Sequence, residues 1–360
     1  RLDRSTDGMV NYNANSAMQQ QSIVTHANAI RALAERIEPS GDDIRIVDLG
    51  CGPGTSTLLA MRPAVETLIA RFPQATIHVG HADVPTNDWN ALSAIIFGPD
   101  GYATMSDKLR VEAYLGSFYA TMPPVGSVDI AMCFAASHWL SRDPGFVAPG
   151  TIFFADLQGD KRQKMDALAQ ADWTQFLNSR AGELRPGGLL YVSTLGAIPD
   201  PDEINGVCSS ARYLYRAIQV VAQSMADDGL IDQDALDRFI FPLWFLTAEE
   251  ARRAIEASPT LSEAFEIETI EVVPAELTQS DLFIGLRDDP KAYGEAYSGY
   301  VRGFGESSLL KYLFNDAAHE THSARDLVDI FFERYARLNE ENVGTYKFET
   351  WYLNVQLRRT

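Results

Sequence analysis

The chain has little cysteine and no long apolar stretch. Its 3 cysteines, Cys51, Cys133 and Cys208, include no C-x-x-C pair. An odd number of widely spaced cysteines argues against a disulfide framework and a structural zinc site, and it favours a reducing cytoplasm. No apolar run approaches the roughly 20 residues that span a bilayer. The first residues also lack the hydrophobic segment of a secretion signal, so a cytoplasmic protein without a membrane partner is expected.

Basic residues are in the minority. There are 30 Lys and Arg against 49 Asp and Glu, which gives a formal net charge of −19. Phosphate backbones and anionic lipid surfaces attract basic patches, so this balance argues against nucleic acid or an anionic membrane as partners. An anionic substrate would have to be attracted by groups within its own site, because the field of the whole molecule repels it.

The first 200 residues alternate apolar segments with helical ones. Four apolar segments predict buried strands: Ile44–Leu49, Ala75–Gly80, Ser127–Phe134 and Leu189–Thr194. Two of the intervening segments predict helices, Thr55–Phe72 and Trp173–Leu184. Strands separated by helices pair in parallel and have helices on both faces, so we expect an α/β fold with a doubly wound sheet.

After residue 200 the pattern becomes mainly helical. Helices are predicted over Arg212–Asp228, Ala248–Ala257, Lys291–Phe314 and Ala324–Leu338. Phe265–Val273 and Phe348–Leu357 predict strands that return to the sheet. We therefore expect a Rossmann-like core over residues 1–200, a mainly helical cap over 201–345 with a returning strand near 265–273, and a C-terminal core strand within 346–360.

A glycine-rich turn follows the first predicted strand. Val47–Gly54 has the sequence V-D-L-G-C-G-P-G, and such glycines let the backbone turn tightly and approach a ligand closely. Nicotinamide-dependent dehydrogenases carry G-x-G-x-x-G at this place. The G-x-G-x-G found here, with Asp48 ahead of it, instead resembles the first motif of S-adenosylmethionine-dependent methyltransferases. A dehydrogenase and a turn without a ligand remain the alternatives at this point.

An acidic residue follows the second predicted strand. Asp83 lies where a carboxylate could accept hydrogen bonds from both hydroxyls of a ribose. Asp83 could equally cap a helix. Beside the glycine turn, the ribose interpretation gains support.

Further segments extend the resemblance over nearly the whole chain. Gly116–Tyr119 has the sequence G-S-F-Y, Ser137–Ser141 has S-H-W-L-S, and Met225–Ile231 has M-A-D-D-G-L-I. With these motifs the chain resembles the SABATH carboxyl methyltransferases, known mainly from plants. The family's motifs occur here in the same order, and the remaining ones are Asn11–Gln19, His81–Asn90 and Phe176–Gly188.

The resemblance implies an S-adenosylmethionine-dependent enzyme that forms the methyl ester of a small carboxylic acid and assembles as a homodimer. An N-terminal segment, residues 8–25, would contact both ligands. Gln19 and Trp139 would donate hydrogen bonds to the substrate carboxylate from their amide and indole N–H groups. The residues implied at the cofactor are Tyr12, Ser16, Asp48, Gly50, Cys51, Asp83, Val84, Ser117, Phe118 and Ala135.

The resemblance also implies a substrate wall. Besides the two donors, it consists of His138, Leu214, Tyr215, Val301, Phe304 and Trp351. Tyr215 stands where relatives usually have Trp, so it brings a hydroxyl into the wall. Three arginines near these residues in sequence would suit a second polar group on the acid: Arg212, Arg216 and Arg302. His138 is given no acid–base role.

Two expectations concern the chemistry. A carboxylate is already ionised at neutral pH, so methyl transfer to it needs alignment and exclusion of water but no general base. Leu236–Pro242 has the sequence L-D-R-F-I-F-P, in which Ile240 replaces an Asn that contributes to a metal site in some relatives. No metal is therefore expected.

Two other functions remain compatible with the sequence. One is N- or O-methylation of another small molecule, and the other is a non-catalytic cofactor-binding protein.

Overall fold

A seven-stranded sheet forms the centre of the computed structural model, which describes residues 27–39, 41–275, 281–317 and 321–360. Its strands are β1 (Asp43–Leu49), β2 (Thr76–Asp83), β3 (Leu109–Leu115), β4 (Val128–Phe134), β5 (Leu184–Leu195), β8 (Phe265–Pro274) and β9 (Trp351–Arg359). A separate two-stranded sheet pairs β6 (Ala197–Pro199) with β7 (Val207–Ser209). The predicted N-terminal site residues Tyr12, Ser16 and Gln19, with segment 8–25, lie outside the described residues.

The strand order of the large sheet is β3-β2-β1-β4-β5-β9-β8. The first five strands in this order run parallel, and β9 is antiparallel to both β5 and β8. The order reverses between β1 and β4. In open α/β sheets, ligands bind at such a reversal, just outside the carboxyl ends of the strands. The topology therefore directs attention to the residues that follow β1, β2, β3 and β4.

Side chains of the sheet alternate between two hydrophobic clusters. In β4, Ile130 and Met132 face the cluster that includes α1 (Ala27–Arg36), α2 (Thr55–Arg71) and α3 (Trp89–Ile96). Ala131 and Cys133 face the cluster that includes α4 (Gly159–Glu183). All seven residues of β4 are buried, as expected for a central parallel strand covered by helices on both faces.

The second half of the chain is mainly helical and packs on the α4 side. Its helices are α5 (Arg212–Asp227), α6 (Gln233–Arg238), α7 (Ala248–Glu256), α8 (Pro259–Ala264), α9 (Pro290–Leu309) and α10 (Ala324–Glu341). Helix α9 continues through a π-helical turn, Leu310–Phe314, into the short helix Asn315–Ala317. Helices α9 and α10 pack along each other and α5 joins them, so these three form the body of the cap. Short 3-10 turns lie at Phe154–Asp156 and Ile284–Leu286.

Local sequence explains where several helices begin. The Asp88 carboxylate accepts a hydrogen bond from the Ala91 amide at 2.9 Å and caps α3. Thr247 and Glu250 form a reciprocal capping box at the start of α7. Each cap satisfies amides at a helix start that have no partner within the helix. Among the described residues, no helix has both the length and the apolar character needed to cross a bilayer.

One strand of the seven-stranded sheet was not predicted, and neither were β6 and β7. Strand β3 (Leu109–Leu115) is an edge strand on which buried and half-buried positions are interspersed with exposed ones. Its sequence, L-R-V-E-A-Y-L, does alternate between apolar and polar residues. That alternation is typical of a half-buried strand, so the signal was present.

The starts of α4 and β5 lie well before those predicted. Helix α4 begins at Gly159, well before Trp173. Its first turns were not predicted because they are polar and lie largely on the surface. Strand β5 begins at Leu184 and includes the Pro-Gly-Gly sequence expected to precede it. The pairing of β4 jumps from Leu184 to Leu189, so these breaker residues form an irregularity within the strand and do not end it.

Candidate active site

A cavity of about 320 Å³ opens at the carboxyl ends of the parallel strands. Residues that follow β1, β2, β3 and β4 line one part of it, and residues of the α9 end line another. Nine of the residues predicted for the site border this space: Gly50, Cys51, Asp83, Val84, Ser117, Phe118, Ala135, Trp139 and Phe304. These nine come from five different parts of the chain, which the strand order brings together.

The glycine turn after β1 has a backbone that side chains would obstruct. Gly50, Gly52 and Gly54 have φ values of 82°, 55° and 116°, in the left-handed region that favours glycine. A Cβ added at Gly50 would lie 2.5 Å from the Cβ of Ala136, which is closer than atoms can pack. The turn therefore needs glycine both for its conformation and for its close approach to the segment after β4.

That segment also has an unusual backbone. Ala135 directly follows β4 and has a φ of 48°, although it is not glycine. Its amide donates to the carbonyl oxygen of Ser193 at 2.9 Å, which holds it in this conformation. Left-handed alanine is uncommon and is often found at functional sites, and here it borders the cavity.

Asp83 holds the glycine turn and faces the cavity. One carboxylate oxygen accepts from the Gly52 amide at 2.7 Å, and the other accepts from the Val84 amide at 2.7 Å. Burial raises the pKa of Asp83, and these two amides oppose the rise. A carboxylate has about four acceptor positions. Asp83 therefore retains the capacity to accept two further hydrogen bonds from a ligand.

Asp48 lies beneath the turn and outside the lining of the cavity. Its carboxylate is 3% exposed and accepts a hydrogen bond from the Thr57 hydroxyl. Burial raises the pKa of Asp48 to about 7, and the Asp83 carboxylate adds to the rise. The structure therefore assigns Asp48 contacts within the protein, with Thr57 at the start of α2, where the sequence predicted contact with the cofactor.

Trp139 borders the cavity with a firmly held backbone. Its amide donates to the Ala136 carbonyl oxygen at 3.0 Å, and Trp139 pairs with Leu243 as an isolated antiparallel bridge. The next amide, of Leu140, donates to the Pro242 carbonyl oxygen at 2.8 Å. The chain before α7 thus fixes the main chain of Trp139 against the sheet.

His138 lies behind Trp139 and does not line the cavity. It is 6% exposed, its Nδ1 is 2.8 Å from the Thr194 hydroxyl oxygen, and its ring packs on Trp139 at 5.6 Å between centroids. Burial lowers the pKa of His138 to about 3. The imidazole is therefore neutral at physiological pH and supports Trp139 by packing.

His138 should make the protein less stable in acid. Its folded pKa lies below the unfolded value of about 6.5, so stability is lost as pH falls through that value, by up to about 1.4 kcal/mol per pH unit. His138→Gln keeps a polar group beside Thr194 but cannot titrate there. Between pH 7 and 5, wild type should lose about 2 kcal/mol more unfolding free energy than the variant. Urea denaturation at both pH values measures this difference, and equal losses would contradict a neutral His138.

The predicted substrate wall is only partly at the surface of the cavity. Phe304 borders it, whereas Leu214, Tyr215 and Val301 are buried behind it. The Tyr215 ring stacks on Phe153 at 4.4 Å and lies 6.1 Å from Phe304. Its hydroxyl is therefore inside an aromatic cluster and not on the cavity wall.

Trp351 and the three arginines also lie outside the lining. Trp351 begins β9, and its carbonyl oxygen accepts from the Gly196 amide at 2.9 Å. Each arginine is paired with acids of its own surroundings: Arg212 with Glu203 and Glu349 at 2.9 and 3.0 Å, Arg216 with Asp156 at 2.8 Å, and Arg302 with Glu306 at 2.6 Å. These pairs remove the reason for expecting the arginines to bind a second polar group of the acid.

Other lining residues were missed. Asn87 donates to the Gly52 carbonyl oxygen at 2.8 Å and lies in the His81–Asn90 motif, so the motif could have indicated it. The end of α9 and its π-helical turn contribute a polar rim with no sequence signal: Ser307, Ser308, Lys311 and Tyr312. The Lys311 ammonium lies 4.8 Å from the centre of the Tyr312 ring and is a cation at the mouth of the cavity.

The fold is that of a Rossmann-like methyltransferase. A solved loganic acid methyltransferase with SAH matches it with a TM-score of 0.76, covering 97% of this chain and 96% of that chain at 23% identity. The glycine turn, Asp83 and the cavity lie at the carboxyl ends of the strands, where this class of α/β fold binds its ligand.

The family follows from the whole chain. The family model described as SAM dependent carboxyl methyltransferase matches residues 3–360, so the protein belongs to this family, the SABATH carboxyl methyltransferases. Jasmonate O-methyltransferase of Arabidopsis thaliana is 25% identical over 94% of this chain and 92% of its own length. Gibberellic acid methyltransferase 1 of the same plant is 26% identical over 90% and 85%. The protein is thus an S-adenosylmethionine-dependent enzyme that methylates small carboxylic acids, as the motifs predicted, and the dehydrogenase alternative is excluded.

Proposed function

We propose that S-adenosylmethionine binds in the part of the cavity beside the glycine turn, and that the acid binds beside Trp139 and Phe304. The observation that carries the proposal is the continuity of the cavity, because Asp83, Trp139 and Phe304 border the same space. Direct transfer of a methyl group requires the donor and the acceptor to be held in contact within one space.

The residues beside the turn suit the cofactor. The Asp83 carboxylate has the capacity to accept from both ribose hydroxyls while it holds the Gly52 and Val84 amides. Gly50 borders the cavity with its backbone, which lies close to Ala136 because it carries no side chain. Phe118 presents an aromatic ring to the cavity, which suits the flat adenine. The other residues proposed at the cofactor are Tyr12, Ser16, Cys51, Ser117 and Ala135.

When bound, S-adenosylmethionine supplies a methyl carbon whose bond to sulfur breaks, with the electron pair left on sulfur, as the carboxylate oxygen bonds to that carbon. The acid arrives ionised, so no side chain needs to remove a proton. Trp139 and Gln19 hold the carboxylate as neutral donors and leave its charge in place for attack. Phe304 and the cap exclude water, which would otherwise solvate the nucleophile.

A screen of acids tests the activity. The protein is incubated with methyl-labelled S-adenosylmethionine and a panel of aromatic and aliphatic acids, and the product is treated with mild base. A methyl ester releases its label in base. Label that survives base, on an amine or alcohol acceptor, would show the N- or O-methylation alternative. Cofactor binding without turnover of any acceptor would show a non-catalytic binding protein.

We also propose that transfer is independent of metal. Ile240 is 2% exposed and has no ligand atom to offer. Asp200, Glu203 and Cys208 form a cluster that could hold a metal ion, but the Arg212 guanidinium already contacts Glu203 and Cys208. EDTA, followed by added magnesium, should change the initial rate by less than about twofold. A large loss that magnesium restores would contradict the argument from Ile240.

We further propose that the protein is a cytoplasmic homodimer. The cysteine usage supports a cytoplasmic enzyme, and Cys51, Cys133 and Cys208 are all buried free thiols. The family resemblance supports a homodimer. Light scattering coupled to size exclusion would give the mass in solution, and a mass of one chain at working concentration would contradict the dimer.

A further inference from the structure

Tyr119 connects the two parts of the cavity. It belongs to the segment Gly116–Met122, here called the cofactor loop, whose Phe118 ring lies 4.8 Å from the Tyr119 ring. The Tyr119 side chain is 9% exposed, and its hydroxyl donates a hydrogen bond to the carbonyl oxygen of Trp139. The phenol of a residue on the cofactor side thus holds the main chain of the residue proposed to bind the acid.

Helix α4 fixes the cofactor loop from below. Arg180 and Glu183 are both 0% exposed and form an ion pair with a nitrogen–oxygen distance of 2.6 Å. The Arg180 guanidinium also donates to the carbonyl oxygens of Phe118 and Ala120 at 2.6 and 3.0 Å. The Glu183 carboxylate accepts from the Met122 amide at 2.8 Å. The loop is therefore held through its main chain by a fully buried charge pair.

The same helix fixes Tyr119 and the segment after Trp139. The Ser179 hydroxyl donates to the Tyr119 carbonyl oxygen at 2.9 Å. Earlier in the same helix, the Asp172 carboxylate accepts hydrogen bonds from the amide and the hydroxyl of Ser141, each at 2.7 Å. Both segments thus rest on α4, and the Tyr119 hydroxyl is a direct bond between them. Burial and the neighbouring Asp172 raise the pKa of Tyr119, so the phenol keeps its proton.

We propose that Tyr119 is a positioning residue for methyl transfer, which acts through the main chain of Trp139 and makes binding of the acid depend on an occupied cofactor site. The inference rests on the proposed role of Trp139. The contacts with α4 hold the main chain of the cofactor loop, so a ligand against Phe118 restrains the Phe118 ring and the Tyr119 ring beside it. The Tyr119 hydroxyl then transmits this restraint to the Trp139 carbonyl oxygen. Binding of the two ligands is then mutually favourable.

Tyr119→Phe tests this inference, because it deletes only the hydroxyl. In wild type, saturating S-adenosylhomocysteine should tighten binding of the best acid, as measured by calorimetry. In the variant this enhancement should fall by about fivefold, which corresponds to one hydrogen bond. The kcat/KM for the acid should fall about tenfold or more through misalignment. Affinity for S-adenosylhomocysteine alone should stay within about twofold of wild type.

A double-mutant cycle separates positioning from a general structural effect. If Tyr119 acts through Trp139, then Tyr119→Phe should change acid kinetics very little in a Trp139→Phe background. Tyr293→Phe is the matched control, since Tyr293 is a fully buried tyrosine outside the cavity whose hydroxyl lies 3.0 Å from the Asp281 carboxylate. It should leave the enhancement of acid binding intact. Asp172→Asn, which weakens the hold on Ser141 with the phenol in place, should impair acid kinetics like Tyr119→Phe.

Four results of these experiments would contradict the role of Tyr119. An equal loss of affinity for cofactor and acid in Tyr119→Phe would mean that the phenol contacts the cofactor directly, and additive effects with Trp139→Phe would mean that it does not act through Trp139. Either result overturns the inference. If Trp139→Phe alone has wild-type kinetics, the proposed acid site fails and the inference fails with it. If Trp139→Phe lowers kcat/KM for the acid and Tyr119→Phe does not, the inference about Tyr119 is wrong while the proposed acid site stands.

Discussion

Replacement of Trp139 by Phe should lower kcat/KM for the best acid by about 10- to 100-fold, while the affinity for S-adenosylhomocysteine stays nearly unchanged. The substitution removes one N–H that donates to a charged carboxylate, a bond worth about 1.5–3 kcal/mol. A carboxylate misplaced by ~1 Å adds a loss in rate. The aromatic ring stays in place, because the backbone of Trp139 is fixed by Ala136, Leu243 and Tyr119.

Trp89→Phe is the matched control for this experiment. Trp89 is also half-buried, lies outside the lining of the cavity, and loses the same indole N–H on substitution. Its kinetics should be close to those of wild type. Gln19→Leu should behave like Trp139→Phe, and the double variant should be less than additive if both side chains bind one carboxylate. If Trp139→Phe has wild-type kinetics, Trp139 does not bind the carboxylate and only packs in the protein.

Replacement of Asp83 by Ala should lower the affinity for S-adenosylmethionine by about tenfold or more. The variant loses the acceptor of the ribose hydroxyls. It also loses the 2.7 Å hydrogen bond from the Gly52 amide to the carboxylate. The fall in affinity therefore has two causes, a lost contact with the ligand and a less ordered glycine turn. Calorimetry with S-adenosylhomocysteine measures the change, and thermal denaturation shows whether the variant is folded.

Asp83→Asn with a 2′-deoxy analogue of S-adenosylhomocysteine separates these two effects. If the carboxylate binds the ribose, the substitution should cost less affinity for the deoxy analogue than for the natural ligand. Equal costs would mean that Asp83 only supports the glycine turn. Asp88→Asn is the control, because Asp88 is an exposed helix cap and Asn caps helices as well as Asp does.

The residues that border the cavity at the glycine turn could be predicted from sequence because their features are local. The glycines after β1 are required by the backbone of the turn itself, and Asp83 is the last residue of a strand that the apolar residues of β2 already indicate. Parallel strands bring their carboxyl ends to one edge, so residues after successive strands meet there without further information. Trp139 was found by its motif, although its fixed backbone depends on Leu243, far along the chain.

The substrate side was decided by tertiary structure. The family resemblance predicted that Leu214, Tyr215 and Val301 line the substrate wall, but helical periodicity does not tell which element covers a given face. In the folded protein they lie behind Phe304, in a cluster that the cap forms with the 3-10 turn containing Phe154.

The ion-pair partners of the arginines could not be predicted from the sequence either. Arg212 and Arg216 are each paired with an acid far away in the chain, such as Glu349 or Asp156, and both stay out of the cavity. Lys311, which carried no motif, lies in the π-helical turn that continues α9 and borders the cavity. Short-range geometry thus determined which residues surround the glycine turn, whereas long-range packing decided which residues line the rest of the cavity. Contacts between distant segments leave no periodic pattern in the sequence of either segment.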